Sequence, residues 1–123
     1  MFIVKGEIYP FDILVSFGDD KRRVRKKLSK ILPDKSVVKE FKIPTLSSGR
    51  TTMFSTGQTF LWLKEKPTSI NGLAILNHEI FHCVCFILER IGITHSSDSD
   101  EAYAYFIQYL TEKIYDELNI TFS

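Results

Sequence analysis

The chain has 123 residues, 44% hydrophobic and 13% aromatic, with 16 Lys/Arg against 15 Asp/Glu. That length suits one domain over residues 1–123, and the apolar content is enough for a core, which excludes a largely disordered chain. No apolar run reads as long enough to span a membrane, and "MFIVKGEIYPFD" lacks the charged leader, apolar block and cleavage site of a signal peptide, so a cytoplasmic protein is expected.

Charge is unevenly placed. Residues 1–66 carry 14 Lys/Arg against 7 Asp/Glu, a net of +7, whereas residues 67–123 carry 2 against 8, a net of −6. Such asymmetry marks either a basic surface for a partner or two halves that attract each other within one fold.

The first half reads as short strands around one helix. "FIV" and "FDILVSF" are rich in strand formers. "GDDKRRVRKKLSKILPDK" has Val24, Leu28, Ile31 and Leu32 at helical spacing, Asp19 or Asp20 as cap and Pro33 as stop. "SVVKEFKI" is expected to be a strand ending at Pro44, and "RTTMFST" and "TFLWLK" a hairpin around a Thr-Gly turn.

The second half changes period. Leu73, Leu76, Ile80, Val84, Ile87 and Ile91 repeat by three and four, which predicts a helix from about Ser69, its cap, to Ile91, with Gly92 as stop. "THSSDSD" is a polar loop, and Ala102, Phe106, Leu110 and Ile114 predict a last helix from about Asp98 to Leu118. On the first of these helices Cys83 and Cys85 point about 200° apart, which excludes a mutual disulfide and fits a reduced compartment. Strands followed by two helices give an α+β class: a short mixed sheet with one helix, then two antiparallel helices.

His78, Glu79, Ile80, Phe81 and His82 spell H-E-x-x-H on the longer helix. Spacing by four puts both imidazoles on one face, one turn apart, where they can share a zinc ion. Glu79 lies about 100° round the helix, suited to act as general base toward a water on the metal. A catalytic zinc takes three protein ligands. After eighteen intervening residues, 83 to 100, Glu101 at the start of the next helix is the candidate for the third. The competing reading places Asp98 as N-cap and Glu101 three residues on, completing a capping box.

H-E-x-x-H, eighteen residues and then Glu at a helix start, with "DEAYAY" at residues 100–105, resembles the gluzincin branch of zinc metallopeptidases. The resemblance covers about residues 59–115. It implies a zincin-like fold and zinc-dependent peptide hydrolysis, with His78, His82 and Glu101 as ligands and Glu79 as base. It also implies that "TFLWLKEKP" is the edge strand holding an extended substrate, through Phe60, Leu61, Trp62 and Leu63. Those families carry a tyrosine or histidine that stabilises the transition state, and here the role would fall locally to His95, Tyr103 or Tyr105. Asp98 or Asp100 could replace Glu101 as ligand. A metzincin arrangement fails, because the position six residues beyond His82 is Leu88.

A second function class follows from "KRRVRKKLSK". Seven basic residues in ten can bind nucleic acid or an acidic partner, in which case the zinc site belongs to a non-catalytic interaction module. The apolar spacing within that run describes instead a helix packed on a sheet with a solvated basic face, and this is the favoured reading.

Overall fold

The computed structural model describes residues 1–44 and 46–119. Four strands, β1 (Phe2–Val4), β2 (Ile13–Phe17), β3 (Gly49–Met53) and β4 (Thr59–Leu63), form one sheet in the order β1-β2-β4-β3. β2 and β4 run parallel, while β1 and β3 add antiparallel on either side, so the sheet is mixed. Helix α1 (Lys21–Ile31) follows β2; α2 (Ile70–Arg90) and α3 (Asp100–Glu117) follow β4. The molecule is a small α+β protein, as expected.

Both faces of the sheet are covered. On one side α1 inserts Val24 and Leu28 beneath Leu14, Phe60 and Trp62. On the other, Val15, Leu61 and Leu63 meet Ile80 and Ile87 of α2 and Phe106 and Leu110 of α3. All five β4 residues are buried, and Phe60–Leu63 form the apolar run of a strand covered on both sides.

Helix ends follow local chemistry. The Asp20 carboxylate caps α1 by accepting from Arg23 N at 2.9 Å. Ser69 caps α2 through Gly72 N at 3.0 Å, and Gly92 just past its end takes φ +89°.

Residues 36–43 do not form the expected strand. Lys35–Glu40 is a 3-10 turn opened by Asp34, which accepts from Ser36 N at 2.9 Å. Adjacent Val37 and Val38 are both buried under the sheet; a strand's alternation would have sent one of them outward.

α2 is also a described helix long and apolar enough to cross a membrane, contrary to the sequence reading. Here its apolar stripe forms the centre of the α2/α3 side of the core. α2 lies across β4 and β3, and α3 packs on α2 and β1. The two flanks of α2 therefore differ: one faces α3, and the other overlooks β3 at the sheet edge.

Candidate metal centre

The histidines sit on the β3-facing flank. His78 Nε2 and His82 Nε2 are 3.1 Å apart, with ring centroids 4.8 Å apart. Two nitrogens bound tetrahedrally at 2.0–2.1 Å would be separated by about 3.3 Å, so the pair has the bite for one zinc ion. Glu79 places Oε2 4.0 Å from His78 Nε2, and the three ligand atoms lie within 4.8 Å of one another. The His78 side chain is 68% exposed while that of Glu79 is 9% exposed. The imidazoles thus face solvent, and the carboxylate is set back against the sheet edge. Imidazole nitrogen is a donor that zinc accepts, so His78 and His82 fit two of its ligand positions, with the Glu79 carboxylate close enough to reach a water beside them.

Thr51 fixes the carboxylate. Its Oγ1 lies 2.9 Å from Glu79 Oε1 and 3.1 Å from the Glu79 carbonyl oxygen. With Oε1 engaged, Oε2 is the atom left toward the histidines. Gly49, two residues earlier on the same face of β3, lets the strand approach. A Cβ there would meet Leu63 Cδ2 at 2.7 Å and Glu79 Cγ at 3.2 Å. Neither Thr51 nor Gly49 was singled out from the sequence. The signal was the strand alternation Gly49, Thr51, Met53, with a glycine marking close backbone approach.

The edge of β3 is open. Lys64 N donates to Ser48 O and Phe54 N to Gln58 O, so even-numbered residues carry the ladder to β4. By alternation, Thr51 and Met53 turn their backbone N–H and C=O to the free edge, and Thr51 lines the same groove as His78, Glu79 and His82.

Other expected site residues lie elsewhere. Phe60, Leu61, Trp62 and Leu63 are buried in β4, which pairs with β2 on one side and β3 on the other. β4 has no free edge for a substrate; the edge strand is β3. Trp62 Nε1 is already committed to the Asp19 carbonyl oxygen at 2.8 Å.

Glu101 is not brought to the histidines. Tyr115 bonds Asn77, and Tyr103 bonds the Ile93 carbonyl oxygen just past the end of α2, so the helices run antiparallel with Glu101 level with about residue 91. That is nine residues beyond His82, roughly 13 Å along the axis. α3 also occupies the opposite flank of α2 from β3. The capping box does not form either. Ser99, not Asp98, occupies the cap position, and its hydroxyl bonds the Thr94 carbonyl instead. Glu101 is an exposed first-turn carboxylate that complements the α3 dipole.

His95 and Asp100 pair at 3.3 Å in the turn before α3, with His95 packed on Tyr103 at 4.7 Å. Tyr105 is 67% exposed and lines a groove with Tyr9 and Tyr109 on the β1 side. Neither residue stands near the histidine pair. Burial pushes the Cys83 thiol far up, and burial with Glu89 raises that of Cys85, so both remain neutral thiols.

Comparison of the chain with protein-family models, with curated proteins and with solved structures finds no match.

Proposed function

We propose that the chain is a zinc-dependent peptidase of minimal zincin type, resembling the gluzincins in its H-E-x-x-H helix but not in a third ligand from Glu101. One observation carries the reading: a 3.1 Å pair of imidazole nitrogens beside a buried, oriented carboxylate, all opening on a free strand edge. His78 and His82 would hold the ion. Zinc, when bound, would supply Lewis-acid polarisation of the scissile carbonyl and acidify water for attack. Glu79 takes the proton from the attacking water and delivers it to the leaving amine. Thr51 keeps Glu79 turned toward the reacting atoms. The backbone groups of Thr51 and Met53 hydrogen-bond an extended substrate as an added strand.

A second reading, a non-catalytic zinc module, is favoured by the distance of Glu101 from the histidines. The two readings part on Glu79→Gln. For the peptidase, this variant keeps stoichiometric zinc while cleavage of an unfolded protein falls by about 10²–10⁴-fold. Zinc-loaded wild type that cleaves nothing across a broad peptide library supports the module. A protein that takes up no zinc sinks both.

A further inference from the structure

The face of the sheet opposite the metal centre carries a surface of a different kind. α1 exposes Lys21, Arg22, Arg23, Arg25, Lys26 and Lys30. The 3-10 turn Lys35–Glu40 packs against α1 and exposes Lys35 and Lys39, with exposed Lys42 two residues past its end. Among the described residues, none of these nine cations has an ion-pair partner.

The carboxylates of this layer are all engaged internally. Asp19 takes Ser16 and Lys27, Asp20 caps α1, Asp34 caps the turn, and Glu40 holds Ser55 at 2.7–2.8 Å. Of these, Asp19 is neutralised by Lys27, while Asp20, Asp34 and Glu40 stay exposed and charged, so the nine cations outnumber three exposed carboxylates and the surface is net basic. The opposite layer is acidic, with Glu89, Asp98, Asp100, Glu101, Glu112 and Asp116 exposed there.

We propose that the α1 face docks on the phosphate backbone of duplex nucleic acid without reading sequence. Charge complementarity argues for a polyanion, and the arginines suit phosphate through their planar forks. Residues 22, 26 and 30 form a row with steps of about 6 Å along the helix axis, a ladder of cations on one flank. The apolar stripe of α1 is spent on the core, leaving Ile31, 37% exposed, as its exposed large hydrophobic side chain. Insertion into a lipid surface has no apolar face to use. The aromatic residues of this layer, Phe41, Phe54, Phe60 and Trp62, are buried, so stacking on single-stranded bases is not available. Docked this way, the acidic layer faces away from the nucleic acid and the β3 groove stays open at the side. The proposal does not depend on zinc or on peptidase activity.

The test uses the full chain and a labelled 20-base-pair duplex DNA of arbitrary sequence, read by anisotropy. Engagement of five or six phosphates gives a log–log salt slope of about −5, a loss of about 10³-fold between 50 and 200 mM salt. The triple variant Arg22→Glu, Arg25→Glu, Lys26→Glu should lose at least 10-fold in affinity, with its circular dichroism unchanged. Lys113→Glu on α3 should leave binding as it was. If the triple variant folds poorly, Arg22→Ala, Arg25→Ala and Lys26→Ala taken singly should each reduce the slope by about one. A slope shallower than −2, undiminished binding by the charge variants, or tighter binding to anionic vesicles or polyglutamate than to the duplex overturns the proposal.

Discussion

Thr51 joins two functions on one residue. Its hydroxyl holds the Glu79 carboxylate, and its backbone lies on the edge where an extended substrate would pair. Thr51→Val keeps the shape and removes the donor. The expected result is a fall in kcat of about 10–100-fold, matching the 1.5–3 kcal/mol of a hydrogen bond to a charged group. KM and zinc content should change little. A variant with wild-type kcat would show that Glu79 is oriented by packing alone. Asp19 is the second residue with a measurable signature. Burial alone would raise its carboxyl, but the Ser16 hydroxyl and the Lys27 ammonium together hold it below the usual carboxylate range. A carboxyl depressed in the folded state adds stability above its unfolded value, near 3.9, and loses it as pH falls through the folded one. The thermal midpoint should therefore drop steeply below about pH 4, and Asp19→Asn should lower it at neutral pH and flatten that acid limb. Parallel melting curves for the two proteins across the acid range would remove Asp19 from the account.

Helices with both ends marked could be read from the sequence almost to the residue. α2 was expected from about Ser69 to Ile91 and runs Ile70–Arg90, because Ser69, the 3.6-residue stripe and Gly92 are local signals that agree. β3 and β4 were legible as a hairpin for the same reason, being joined by a short turn. Strand order was not legible. β4 is central because β2 pairs with it in parallel, matching Ile13 to Thr59, 46 residues away. No local pattern encodes that pairing, so the edge was assigned to β4 when it belongs to β3. Residues 36–43 misled for another reason: their β-branched content speaks for a strand, but the Asp34 cap and two buried valines in succession override it. His78, Glu79 and His82 came together because one helix carries all three. Glu101 did not, because its place depends on how far α2 continues before the chain turns.

At the scale of the molecule, the charge division between residues 1–66 and 67–123 is a division between the two sides of a sheet. The halves do not meet as attracting surfaces; an apolar core lies between them, and the charged side chains face outward except for the buried Asp19 and Glu79. The same parallel β2–β4 pairing that hid the strand order has a consequence in time. The β3–β4 hairpin and the α2–α3 hairpin close short loops, whereas β2 must find β4 across 46 residues at a greater entropic cost. Residues 49–118, which contain the whole candidate metal centre, can gather around β4 before the N-terminal strands dock. Val15→Ala on β2 should then speed unfolding several-fold and leave refolding nearly unchanged in stopped-flow chevrons. A matching slowdown in refolding would mean that β2 belongs to the nucleus. Otherwise the site is an early product of folding, shaped while the basic layer is still unfolded chain.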